Sequence, residues 1–271
     1  MRFSANISTL FKEVPFLDRF ARAAAAGFRA VEFWWPAEDL DEVEAAVRES
    51  GLQVALFNFN AGNMAAGERG LAGNPDPNAQ QKFRENVPVA LDLARRLSCP
   101  KLNLLVGLHV DGVGHEQQLL LARDNVAWTA DKAADAGMTV VIEALNTIES
   151  PGYLLDTTRD AAAFVERVGR PNVRLQYDAY HMQRMEGNLT ANLRTYMPLI
   201  GHIQIADSPD RGQPGTGEIN YPYVLRAIDG LGYNGYVGLE YNPTTPATEE
   251  SLHWLPRELR GTDVDVAQLR L

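Results

Sequence analysis

Glu143, Asp178, Gln204 and Glu240 stand at intervals of 35, 26 and 36 residues, each about the length of one strand-plus-helix unit. Each closes, or lies within, a short run rich in apolar residues: TVVI before Glu143, VRLQY before Asp178, HIQI around Gln204 and YVGL before Glu240. Three carboxylates and a carboxamide drawn into one space repel each other unless a cation joins them. Hard divalent ions such as Mg2+ or Mn2+ favour oxygen ligands in near-octahedral arrays. Four protein oxygens leave about two positions for neighbouring oxygens of a substrate. The pattern predicts one divalent metal, Mg2+ or Mn2+ before Zn2+, held by Glu143, Asp178, Gln204 and Glu240. His181 follows Asp178 closely and is expected on the loop after that run. There it either donates to a substrate oxygen or is tied to backbone. Arg211 is expected to grip a substrate carboxylate in two parallel bonds, the alternative being a surface arginine. His202 shares a strand face with Gln204 and either supports it from below or is a core residue. Trp34 and Trp35 either wall the pocket or pack beneath the loop that follows.

Residues so far apart converge only if the sheet closes. Eight runs read as strands: 2–5, 30–33, 54–57, 101–105, 139–142, 173–177, 202–205 and 236–239. Most are continuously apolar, as strands covered on both faces are. Between them lie helical patterns over 15–27, 37–51, 78–97, 115–137, 157–168, 188–197, 221–231 and 249–260, several closed by glycine. Pro88 predicts a kink in the third. The eightfold alternation predicts a single-domain (β/α)8 TIM barrel over 1–260. The tail, 261–271, continues no pattern and is expected to be disordered or to contact a partner subunit. An open doubly wound sheet would want a glycine-rich turn after the first strand, where Ser4, Ala5, Asn6 and Ile7 stand instead. Two long loops, 58–77 and 207–220, read as functional segments.

The net charge of -10 disfavours nucleic acid, whose binders draw affinity from Lys and Arg on phosphates. No apolar run is long enough to span a membrane. One cysteine, Cys99, forms no internal disulfide and fits a reducing, cytoplasmic setting. A homo-oligomer is left open by the apolar residues of the tail.

The runs IEALNT (142–147) with PGY (151–153), LQYDAYHMQRMEG (175–187), GHIQIAD (201–207), PGTGEINY (214–221) and GLEYNP (238–243) together resemble the hydroxypyruvate isomerase family. That family belongs to the xylose-isomerase-like barrels, alongside ketose 3-epimerases and endonuclease IV. The likeness keeps order and spacing along nearly the whole chain. It implies that Glu143, Asp178, Gln204 and Glu240 are metal ligands, that Glu143 and Glu240 are the catalytic pair, and that His181 and Arg211 hold substrate. Gln204 stands where the epimerases place histidine, which turns the reading toward hydroxypyruvate and 2-oxo-tetronate isomerases. Ile148 stands where related isomerases often carry a basic residue.

The implied reaction converts hydroxypyruvate, a small hydroxycarbonyl acid, to 2-hydroxy-3-oxopropanoate (tartronate semialdehyde) through an enediolate stabilised by the metal. One glutamate takes the proton beside the carbonyl, and the same or the opposing glutamate returns it. The nearby cation is expected to keep both ionised. The alternatives are a 2-oxo-tetronate isomerase, a ketose 3-epimerase, a nuclease of the same fold and a non-catalytic sugar-acid binding barrel. Five histidines and the acidic charge weigh against the nuclease, and the paired glutamates weigh against the mere binder.

Overall fold

The computed structural model describes residues 1–271. Eight parallel strands close in sequence order: β1 (Arg2–Asn6), β2 (Ala30–Phe33), β3 (Gln53–Asn58), β4 (Lys101–Asn103), β5 (Thr139–Glu143), β6 (Val173–Asp178), β7 (Ile200–Ile205) and β8 (Tyr236–Leu239). The TIM barrel expected from the alternating pattern is the fold observed. Seven helices follow strands around the ring: α1 (Phe16–Ala25), α2 (Leu40–Ser50), α3 (Pro77–Arg96), α4 (His115–Ala134), α5 (Thr158–Val168), α6 (Ala179–Met185) and α8 (Tyr221–Gly230). α7 (Leu189–Tyr196) comes after α6, and the short α9 (Thr248–Ser251) after β8. Asp39, Asp76 and Thr157 cap α2, α3 and α5 by accepting backbone N–H bonds in their first turns.

Register decides which side chains meet inside. Gln176 pairs with His202 and Asp178 with Gln204. Side chains two apart share a face, so Gln176 and His202 form a layer beneath Asp178 and Gln204. Glu143 closes β5, and Glu240 follows β8 directly. The acids therefore gather at the C-terminal mouth, where barrels of this kind carry their chemistry.

Two expectations need correction, and the tail can be described. The pattern over 249–260 is not one helix: α9 stops at Ser251, and a 3-10 turn at Arg257–Leu259 follows Pro256, which lacks an N–H and restricts Leu255. α6 occupies what read as a loop after β6. Its cap is Asp178, whose Oδ1 accepts from Tyr180 N at 2.8 Å, so this acid starts a helix as well as closing a strand. The tail 261–271 folds back on its own barrel, with Val264 and Val266 buried, Met1 bonded to the Val264 carbonyl at 3.0 Å and a capping box at Asp265. Pro88 lies inside an unbroken α3. No helix is long and apolar enough to cross a membrane.

Candidate active site

A cleft of about 480 Å³ at the mouth is lined by Trp34, Asn58, Met64, Arg69, Leu105, Glu143, Leu145, Glu149, Ser150, His181, Arg211 and Glu240. Asp178 lies buried against it, and Glu143, Asp178 and His181 present ligand atoms all within 4.8 Å of one another. Asp178 Oδ1 is held by its helix cap, but Oδ2 is buried with no hydrogen-bond partner. A buried carboxylate oxygen without a donor is costly unless a cation or proton meets it. A divalent cation fits that position and the oxygen-rich donor set around it.

His181 sits in the first turn of α6, not on a loop. Its Nδ1 accepts from the Asn146 backbone N–H at 3.2 Å. An N–H can only donate, so the neutral ring carries its proton on Nε2, which lies 3.7 Å from Asp178 Oδ2. Burial, then Arg211 and Arg69, hold its pKa well below the usual histidine value, so it stays neutral. One nitrogen is tied to backbone, and the other faces the site. In that tautomer Nε2 is a donor, and Arg211 Nη2 lies 3.5 Å from it.

Glu240 is gripped on both oxygens. Oε1 accepts from Arg211 Nη2 at 2.6 Å and from the Trp34 indole at 3.3 Å. Oε2 accepts from Asn6 Nδ2 and Gln204 Nε2, each at 2.7 Å. Arg211 also reaches Glu149 at 3.4 Å and Asp178 at 3.8 Å, and stacks over the Tyr180 ring at 5.1 Å. Its backbone is in the left-handed region, φ 57°, within the loop 207–220. Asp207 organises that loop by accepting from the backbone N–H groups of Ser208, Gly215, Gly217 and Ile219 at 2.9 to 3.0 Å. Gly217 is required there, since a Cβ would lie 2.0 Å from the Ser208 carbonyl oxygen.

Gln204 lies between two layers of the site. Its Oε1 accepts from Gln176 Nε2 at 2.7 Å, one layer deeper, while its Nε2 bridges Glu240 and Glu32 at 2.7 and 2.6 Å. Two carboxylates draw the NH2 group toward themselves, so the carboxamide oxygen is turned away from Glu143 and Asp178. The residue behind this arrangement is Glu32 on β2, fully buried and absent from the sequence-based set. It accepts from Ser4 Oγ at 2.9 Å, Asn6 Nδ2 at 3.4 Å and Gln204, and faces His202 Nε2 at 2.8 Å. His202 thus supports the site from below, as one of the two sequence readings had it. Trp34 walls the cleft, whereas Trp35 packs toward Phe57 at 6.4 Å.

Without a cation, burial raises the pKa of all three acids above the usual carboxylate range. Burial pushes Asp178 up to about 6 and Glu240 up to about 7, both against the pull of Arg211. Burial, with Glu240 and Asp178 as neighbours, holds Glu143 well above the usual carboxylate range. A carboxyl whose folded pKa exceeds its unfolded value favours the fold while protonated, below the unfolded pKa. That contribution is lost as pH rises through the folded pKa values, about 6 and about 7 for Asp178 and Glu240. The chelated protein should therefore lose stability across this window. The rise in melting temperature on adding Mn2+ should widen between about pH 5 and about pH 8. A rise that is flat or shrinking with pH, read by thermal unfolding in matched buffers, would show that the acids do not share a cation.

The model for the xylose isomerase-like TIM barrel matches residues 20–258. The chain is 44% identical to the hydroxypyruvate isomerase of Escherichia coli, over 94% of this chain and 98% of that protein. It is 42% identical to the 2-oxo-tetronate isomerase of Cupriavidus necator, over 94% and 97%. Among solved structures, a Brucella melitensis protein described as an AP endonuclease of family 2 is 43% identical and superimposes with a TM-score of 0.88, over 93% of this chain and 97% of that one. The chain belongs to the xylose isomerase-like TIM barrel family, and within it to the hydroxypyruvate isomerase family of isomerases.

Proposed function

We propose that the protein interconverts hydroxypyruvate and 2-hydroxy-3-oxopropanoate, using one divalent metal held by Glu143, Asp178 and Glu240. The observation that carries this reading is the unpartnered, buried Asp178 Oδ2 in a cleft lined by two buried glutamates, Glu143 and Glu240. A divalent cation there would supply the charge that ionises the three carboxylates and stabilises both oxygens of an enediolate. The protein's own groups do the proton work. One glutamate removes a proton from the hydroxymethyl carbon, and the former carbonyl carbon receives one from the same or the opposing glutamate. The hydroxyl proton passes to the former carbonyl oxygen, which balances the exchange. His181 Nε2–H is placed to donate to a substrate oxygen, and Trp34 shields the site from water.

The four-carbon homologue, 2-oxo-tetronate, asks for the same chemistry with one more carbon, and the similarity to the Cupriavidus enzyme favours it as a second substrate. The net charge of -10 and the small acidic cleft favour a small molecule over nucleic acid, whatever the Brucella relative acts on. In a substrate panel, kcat/KM for hydroxypyruvate or 2-oxo-tetronate should exceed that for neutral ketopentoses and ketohexoses by about 100-fold or more. Epimerisation of a neutral ketose at a rate matching the acids would overturn this reading.

A further inference from the structure

We propose that Arg69 is the residue that selects acids, by binding the substrate carboxylate through its free Nη2 edge; the assignment rests on the isomerase reading above. Two guanidinium groups line the cleft, Arg69 and Arg211. Sequence favoured Arg211 as the carboxylate grip, but its charge is already met by Glu240, Glu149 and Asp178. Arg69 differs. Its Nε donates to Ser150 Oγ at 3.2 Å, and its Nη1 donates to the carbonyls of Met64 and Glu68 at 3.0 and 2.8 Å. These partners are neutral, Nη2 has none in the protein, and no carboxylate lies within ion-pair distance. In a chain with ten more acids than bases, an arginine left without an acid at the mouth of the cleft is a standing positive charge.

The group is also held in place. The adjoining Gly70 has φ 108°, donates to the Ala61 carbonyl at 2.8 Å and presses on β4's exit so closely that a Cβ would lie 2.0 Å from the Leu105 carbonyl oxygen. Ser150, its side-chain anchor, is buried. A guanidinium fixed at Nε and Nη1 gives up little freedom when it meets a ligand. A 2-oxo acid presents a carboxylate to this edge, whereas a neutral ketose presents a hydroxymethyl group and gains no charge pairing. Arg69 therefore favours a 2-oxo acid over a neutral ketose in this cleft.

The test uses the metal-loaded full chain, R69Q and R69K. Steady-state kinetics with hydroxypyruvate and 2-oxo-tetronate are paired with calorimetric titration of D-glycerate, an acid that cannot isomerise. R69Q should raise KM for the acids and Kd for D-glycerate by roughly 10- to 100-fold, with a smaller change in kcat. R69K should recover part of that loss, and the melting temperatures should agree. Wild-type KM and D-glycerate affinity in R69Q, or a loss confined to kcat, would overturn the assignment. Wild-type protein that binds D-glycerate through Arg69 yet turns over neither acid would instead overturn the isomerase reading and leave the carboxylate site standing.

Discussion

Glu143→Gln should leave the barrel folded and lower kcat by roughly 10²- to 10⁴-fold, the range for loss of a positioned general acid or base. The substitution keeps the side chain's size and an oxygen to accept from Asn103 Nδ2, which now donates to Glu143 Oε2 at 2.7 Å. The bond from the Tyr153 hydroxyl goes to the Glu143 backbone carbonyl and is untouched. What disappears is a group able to carry a proton and to bear negative charge toward a cation. Because burial disfavours the ionised form of Glu143, the amide should not lower the melting temperature of the metal-free protein. Glu240→Gln should abolish turnover to a similar extent but cost some stability, since Arg211 loses a charged partner at 2.6 Å. Circular dichroism and thermal melting check the fold, and steady-state kinetics checks the chemistry. Wild-type turnover in either variant would refute the catalytic assignment.

Glu32→Ala should be the most destabilising change near the site, at about 3–5 kcal/mol, the range for removing one partner from a buried charged network. It strips Ser4, Gln204 and His202 of a shared acceptor in the barrel interior and opens a cavity beside Gly238, whose missing Cβ makes room for this carboxylate. For a chain of this size the melting temperature should drop by on the order of 10 °C. Turnover should also fall, because Gln204 and Asn6 bridge Glu32 to Glu240 and orient it. Glu32→Gln keeps an acceptor and should lose less. Denaturant unfolding measures the effect, and a loss under about 1 kcal/mol would show that the network contributes little.

The strands were legible because each is a short apolar run between stop signals, and the acids at their ends stood out against that background. Glu143, Asp178, Glu240, His181 and Arg211 do meet at one mouth. Asp178 was read only as a possible ligand, which hid its second role as the cap of α6 and so hid the helix carrying His181. Glu32 left one trace, a charge inside the strand AVEF, but its partners come from the neighbouring β1 and, across the barrel, from β7, and no local spacing encodes that meeting. The amide group of Gln204 follows from Glu32, so its orientation was equally out of reach. Arg69 depends on Ser150, which lies 81 residues away in the chain, and on a glycine whose need appears only when the segment is laid on β4.

The most direct test of metal-assisted isomerisation is proton NMR of hydroxypyruvate in D2O with wild-type protein, first chelated and then resupplied with Mg2+, or with Mn2+ and quenched by chelation before each spectrum. The expected result is no conversion after chelation, and 2-hydroxy-3-oxopropanoate formed once metal returns, with solvent deuterium entering at carbon. Undiminished conversion by the chelated protein would contradict a cation shared by Glu143, Asp178 and Glu240.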